Sequence, residues 1–314
     1  MSVVVVVDSS CDLPQSFLEE QNVEVLPIDL VVNDKTYSDT KDPQSMIDFF
    51  SQGEFNHLHL ADTVRLSPQQ VSDVFFERIV NQYDFAIVVT SSRVESESYK
   101  IALAASHDIQ RQYRPHRESA GLTNGFGMRV INSATVCTGH GLVAAQCLKL
   151  FEDGIGKNQL RPTMEEFKTQ VYCYMVPKDL YYLRNRAKKR GTKNVGLLSA
   201  MVGSALDMVP VTLGHRDKTI PTANIKGFDN AVSKLFTLAI RQMEMGLKTP
   251  IITVSIAGDT VDLFEFNGYN QLIEKSKEYG VKVITSVMSL IGGANLGPGA
   301  ISLAMACDAH DFES

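Results

Sequence analysis

The chain has 314 residues, enough for about two domains or one large α/β domain with a sizeable core. Lys and Arg total 30 against 36 Asp and Glu, a net charge of -6, so no basic field exists to hold a polyphosphate backbone and nucleic acid is not an expected partner. With 44% hydrophobic and 21% charged residues the composition is that of a globular protein, and the apolar runs Val3 to Val7 and Phe85 to Val89 fall far short of the roughly 20 residues that membrane insertion requires.

The opening MSVVVVVDSS has no basic segment and no long apolar stretch before a small-residue cleavage site, which predicts a cytoplasmic protein rather than a secreted one. Val3 to Val7 is a continuous β-branched run, the pattern of a strand covered on both faces. It ends at Asp8-Ser9-Ser10, after which Asp12-Leu13-Pro14 can begin a helix. Val23 to Val32 is a second apolar run, and Pro27 within it predicts an interruption or an edge. Asp42-Pro43 reads as an N-cap followed by Pro at the first helical position, opening a helix through Phe50. Ser67-Pro68-Gln69-Gln70 is a capping box, and the helix it opens sets Val71, Val74, Phe75 and Ile79 on one stripe.

Phe85 to Thr90 predicts a strand, about Ser96 to Arg111 a helix, Met128 to Asn132 a strand and Thr138 to Phe151 a helix. This alternation predicts a parallel sheet covered by helices. Residues 112 to 127 lack periodicity and read as an exposed loop, and a domain boundary is expected within Asp153 to Pro162, where Gly and Pro break the pattern. The expected organisation is therefore an N-terminal α/β domain over 1–160 and a C-terminal α/β domain over 161–314. Beyond the boundary, Tyr172 to Val176 predicts a strand, Lys178 to Arg190 a helix, and Val211 to Ile225 a strand pair turning at His215 to Lys218. A helix carrying Val232, Leu235, Phe236, Ala239 and Met243 follows, then strands at Ile251 to Ile256 and Val281 to Ser286 around a helix near Asn270 to Tyr279.

Ligands of open α/β sheets bind beyond the carboxyl ends of the strands. Three polar turns occupy such places: Asp8-Ser9-Ser10, Thr90-Ser91-Ser92 and Asn132-Ser133. Each alone serves as a helix cap, while together they make a hydroxyl-rich rim suited to an anion held by neutral donors. Asp8 is not an aspartyl nucleophile of the phosphatase kind, because position 10 is Ser where a second carboxylate is needed. His57-Leu58-His59 has the spacing of two metal ligands on one strand face, yet the later histidines do not complete a set, so no metal is expected. The five cysteines Cys11, Cys137, Cys147, Cys173 and Cys307 are scattered and odd in number, which predicts reduced, buried thiols. Neither a G-x-S-x-G elbow nor a G-x-x-x-x-G-K-[ST] loop is present, and Gly292 to Gly299 is not a dinucleotide fingerprint because Pro298 breaks the spacing; so dense a cluster reads as backbone that turns sharply or approaches a ligand closely, with a plain loop as the alternative.

Across these same segments the chain resembles the DegV family of bacterial fatty-acid-binding proteins. The likeness runs through Asp8-Ser9-Ser10-Cys11-Asp12-Leu13-Pro14, VEVLPIDLVV, Tyr37-Ser38-Asp39, Thr63 to Pro68 (TVRLSP against the family's T-S-x-P-S-P) and Ser91 to Tyr99 (against S-S-x-L-S-G-T-Y). It continues at Gly139-x-Gly141, Asp179-Leu180-x-Tyr182-Leu183, Gly203 to Pro210 and Gly297-Pro298-Gly299, covering almost the whole chain in order. The resemblance implies two α/β domains with a long-chain fatty acid between them, its carboxylate held by Thr63 and Ser96, with Ser91, Ser92, Ser98, Asn295, Gly297 and Lys226 as further ligand-binding candidates. The sequence offers no activated nucleophile, metal set or phosphate loop, so no cofactor and no catalytic residue are expected, and the resemblance implies in some members a separate kinase that phosphorylates the bound acid.

Several positions depart from the family pattern. Glu97 stands for Gly and Ser98 for Thr, Asn295 replaces a His before G-P-G, Val209 a Lys, and Lys226 a frequent Arg, with extra residues between Leu183 and Gly203 and around 112 to 127. Lipid binding is thus carried by more of the motif than kinase partnership is. The expected function is a binding protein without chemistry of its own, and the alternative is a small-molecule enzyme acting on a phosphorylated or carboxylate substrate at the same cleft.

Overall fold

The computed structural model describes residues 2–32, 34–51, 61–179 and 207–312. All but the first two residues of the helix expected at Lys178 to Arg190, His57 and His59, and most of the stretch Leu180 to Pro210 lie outside the described residues.

Val3–Asp8 forms β1, the centre of a parallel sheet ordered β2-β1-β6-β7, with β2 at Glu24–Leu26, β6 at Phe85–Thr90 and β7 at Gly127–Asn132. Successive side chains of a strand point to opposite faces. Val4 and Val6 accordingly join one core, with Phe75 of α3 (Pro68–Arg78) and Ile109 of α4 (Ser98–Ser119), while Val5 and Val7 join another, with Leu142 and Val143 of α5 (Cys137–Glu152). Burial on both faces is why the run is β-branched and unbroken.

A second sheet follows, ordered β10-β9-β8-β13-β11-β12 among the described residues. Its strands are β8 (Val171–Val176), β9 (Met208–His215), β10 (Lys218–Lys226), β11 (Ile251–Ile256), β12 (Lys282–Val287) and β13 (Ile301–Ala306). β13 runs antiparallel to both β8 and β11, and β11 and β12 are parallel. On β8, Cys173 and Met175 face the core shared with α5, whereas Tyr172, Tyr174 and Val176 face the core under α7 (Phe228–Met245) and α8 (Tyr269–Glu278). The layers therefore run helix, sheet, α5, sheet, helix. α5 is buried continuously from Cys137 to Cys147, and two glycines make its close approach possible. A Cβ on Gly139 would stand 2.8 Å from Cys173 Cβ, and one on Gly141 would stand 2.6 Å from the Asp12 carbonyl oxygen.

Pro27 divides the second apolar run as the sequence predicts. Leu26 pairs with Asp8 in the parallel sheet, while β3 (Ile28–Val32) passes to a small antiparallel sheet ordered β4-β3-β5, with β4 at Lys35–Ser38 and β5 at Asp62–Arg65. Ser9 pins the crossing, since its amide donates to the Leu26 carbonyl and its hydroxyl accepts from the Ile28 amide, both at 2.9 Å. The capping box at Ser67 forms as expected, with its side chain accepting from the Gln70 amide. At α2 (Pro43–Ser51) the Asp42 carboxylate accepts from the Ser45 amide at 2.8 Å.

Two expectations are corrected. Residues 112 to 127 are not a loop throughout, because α4 continues to Ser119 with Pro115 inside it. What fixes this last stretch is polar: Arg117, only 3% exposed, donates to the carbonyls of Tyr83 and Asn124 at 2.7 and 2.9 Å, to the Val80 carbonyl at 2.5 Å, and to Asp84 and the Asn124 side chain. The glycine cluster is not a plain loop either, since Leu290–Leu296 is helix α9, capped by the Ser289 hydroxyl on the Gly292 amide. Gly293 lets Phe50 pack against that helix, where a Cβ would come within 2.5 Å of Phe50 Cζ, and Gly297, at φ 92°, ends it. Asp153 to Pro162 holds a turn and the start of α6 (Lys157–Phe167), whose Leu160, Met164 and Phe167 enter the same core as Val5 and Ile251.

Candidate functional site

At the carboxyl end of β1, Asp8 lies under the surface, 3% exposed. Its carboxylate accepts from the Ser10 amide at 3.1 Å, from the Ser10 hydroxyl, and from the Ser91 amide at 3.3 Å, tying the turn after β1 to the turn after β6. His140 of α5 sits beside it, with Nδ1 4.0 Å from Asp8. The His140 Nε2 lies 2.9 Å from the Val89 carbonyl, which can only accept, so Nε2 carries the proton.

A second buried charge cluster holds α9. Asp12 accepts from the Ser255 hydroxyl at 2.6 Å and the Ser289 amide at 2.9 Å, and Asp39 accepts from the Leu290 amide at 3.0 Å and from Lys41 Nζ at 3.3 Å. Burial pushes the Asp12 and Asp39 carboxyls up from the ordinary value, and Lys41 opposes that rise in both. Burial likewise pushes the Cys11 and Cys137 thiols well up, which keeps both protonated. All five cysteines are free and buried.

Above these clusters opens a cleft of about 410 Å³ where the two sheets' loops meet. The turn after β1 contributes Ser10, the turn after β6 Ser91 and Arg93 to Glu97, the start of α5 Val136 and Cys137, and the turn and helix after β12 Ser289, Ile291, Gly292 and Asn295. β5 supplies Thr63 and Arg65, and α4 supplies Lys100. This is the carboxyl end of the parallel strands, where an α/β sheet binds its ligands. Next to the cleft runs a narrow crevice of about 20 Å³ lined by Leu26, Ile28, Val71, Val88, Ile101 and Ala102, together with the polar residues Asp8, Arg65, Thr90 and Ser98.

Of the residues singled out from the sequence, Thr63, Ser91, Ser96 and Asn295 line the cleft. Thr63 Oγ1 accepts from Arg65 Nη1 at 2.9 Å, and Ser96 Oγ accepts from the Ser98 amide at 3.2 Å and lies 2.9 Å from Ser98 Oγ. Asn295 donates to the Ile291 carbonyl one turn earlier at 2.6 Å. The other four stand elsewhere. Ser98 faces the crevice, and buried Ser92 donates to Asp217 at 2.8 Å. Gly297 terminates α9, and Lys226 is exposed at the end of β10. Sequence reasoning missed Arg65, Arg93 and Lys100. Arg65 was findable, because a residue two places from Thr63 in a strand shares its face. Arg93 pairs with Asp217 at 3.2 Å, and Asn132 also holds that carboxylate at 2.8 Å, so the β9–β10 turn is latched to the turns after β6 and β7. Among the described residues no group of three or more His, Cys, Asp or Glu could hold a metal ion, and no helix is long and apolar enough to cross a membrane.

Comparison with known proteins agrees with this architecture. A family model described as "Uncharacterised protein, DegV family" matches residues 2–308. A DegV domain-containing protein of Xanthomonas campestris is 37% identical over 314 residues, covering 100% of both chains. Among solved structures, DegV of Bacillus subtilis, described as a fatty acid binding protein, superposes with a TM-score of 0.73 at 20% identity over 98% of this chain and 100% of that one. A stearic acid-binding protein of Eubacterium ventriosum superposes at 0.74 with 19% identity over 96% and 97%.

Proposed function

Because the chain belongs to the DegV family, we propose that it binds a long-chain fatty acid, with the carboxylate in the cleft between two α/β units, residues 1–160 and 161–314, and the acyl tail in the adjoining crevice. The reading assigns the carboxylate to the hydroxyls of Thr63 and Ser96 and gives the protein no chemistry of its own. The observation that carries it is the meeting of Thr63, Ser91 and Ser96 on one cleft beside an apolar crevice. Burying about 15 methylenes at roughly 0.8 kcal/mol each contributes about 12 kcal/mol before ordering costs, so the head group need only select and orient. At about 20 Å³ the crevice is closed around its side chains, and an incoming tail has to part them. Handing the acid to a kinase is the finer step, and the side chain bearing on it is Asn295, which lacks the charge of a His.

Solvent extraction of purified protein followed by mass spectrometry tests the reading, with stoichiometric acyl lipid expected. Thr63→Ala and Ser96→Ala are each expected to weaken fatty-acid binding about 10- to 150-fold, the loss of a hydrogen bond to a charged group. Extracts without acyl lipid, together with a melting temperature unmoved by added fatty acid, would refute it.

A further inference from the structure

Three buried carboxylates hold the turns that line the cleft, those of Asp8, Asp12 and Asp39, which are 3%, 1% and 3% exposed, and Asp8 also lines the crevice. They take up the amides of Ser10, Ser91, Ser289 and Leu290. Those strand-end amides are the donors that usually receive an anion at such a site, and here they are committed to the protein's own carboxylates. The Ser10 hydroxyl is likewise given to Asp8, and Lys41 supplies one positive charge against the three carboxylates, so an anionic head group needs positive charge from a side wall.

The cations on the walls differ in what they can supply. The Arg93 side chain is 61% exposed, and Lys100 is exposed on α4. Water and salt screen both, and two carboxylates, half-buried Glu95 and exposed Glu97, line the same cleft. Arg65 is different. It is half-buried, lies on the same face of β5 as Thr63, and borders both the polar cleft and the apolar crevice, which puts it where a head group would meet its tail. Its Nη1 donates to Thr63 Oγ1 at 2.9 Å. A hydroxyl that accepts one bond keeps its own proton to donate, so an oxygen bound to Thr63 stands next to the guanidinium as well.

Resting on the lipid-binding reading above, we infer that Arg65 is a specificity-determining residue, whose charge restricts the site to ionised acyl head groups against neutral lipids of equal chain length. The test compares delipidated full-length protein with its Arg65→Gln and Arg65→Lys variants, using hexadecanoate and hexadecanol as probes and thermal unfolding as a check on folding. Arg65→Gln is expected to weaken hexadecanoate about 10- to 150-fold while leaving hexadecanol within a few-fold of wild type, and Arg65→Lys is expected to retain part of the preference. Hexadecanoate affinity unchanged in Arg65→Gln, or an equal loss for acid and alcohol, overturns the inference alone. Wild-type protein that takes up neither probe overturns the lipid-binding reading and this inference with it.

Discussion

Replacing Lys41 by Met keeps the length and apolar stem of the side chain and removes one charge from a cluster closed to water. Lys41 is 5% exposed, its Nζ lies 3.3 Å from both oxygens of Asp39, and its charge also acts on Asp12. Removing one partner of a buried ion pair leaves the other uncompensated, at a cost of about 3–5 kcal/mol. At 2–4 °C per kcal/mol for a chain of this size class, the melting temperature should fall by roughly 6 to 20 °C near neutral pH. The pH dependence separates a charge effect from a packing effect. Burial raises the Asp39 carboxyl above its unfolded value of 3.8, so between those two values the folded state binds more protons, and stability falls as pH rises through that window. Without Lys41 the rise is larger, so the deficit of Lys41→Met against wild type is expected to be widest near pH 7.5 and to narrow towards pH 5. Adding Asp39→Asn to the variant should recover most of the loss. Urea melts from pH 5 to 8 measure this, and a deficit below about 1 kcal/mol, or one independent of pH, would refute the reasoning.

Gly141→Ala would place a Cβ 2.6 Å from the Asp12 carbonyl oxygen; overpacking of this kind costs about 1–3 kcal/mol and outweighs the better helix propensity of Ala, so the melting temperature is expected to drop by several degrees. Glu97 is exposed on the cleft rim, so Glu97→Gly should bind fatty acid as well as wild type or better in a titration. Lipid-loaded protein is expected to serve poorly as a substrate for a generic fatty-acid kinase, and Asn295→His to raise the rate of acyl phosphate formation with ATP, because Asn cannot offset the developing charge.

The framework was legible where local chemistry and burial agree. The run Val3 to Val7, the capping box at Ser67 and the break at Pro27 each depend on neighbours a few residues away. The features that escaped detection depend on distant partners. Tyr37-Ser38-Asp39 carries a family likeness, but nothing local shows that Asp39 and Lys41 are buried, because Asp39 takes up the α9 amide of Leu290, 251 residues along the chain. The end of α4 lacks an apolar stripe because its anchor is a guanidinium satisfied by carbonyls. Helix α9 was obscured by its own glycines, two of which are there to admit Phe50 and the Met288 side chain.

The cleft inherits its composition from this division of labour. Strand-end turns after β1 and β6 and the start of α9 supply its walls, and the amides of those turns are tied down by Asp8, Asp12 and Asp39. This anchoring fixes the amides of Ser10 and Ser91 and the Ser10 hydroxyl without involving a ligand, but it also sets three buried carboxylates against the single charge of Lys41. On the proposed reading, an acid bound there would be repelled by these carboxylates and drawn to the wall formed by β5, where Thr63 and Arg65 lie side by side. The same geometry ties stability to binding, because Lys41 balances the carboxylates that hold the first amides of α9, and α9 carries Ile291 and Asn295 into the cleft. Loosening that helix therefore moves one wall of the site, and a Lys41 variant that folds at acidic pH should still bind fatty acid less tightly than wild type does.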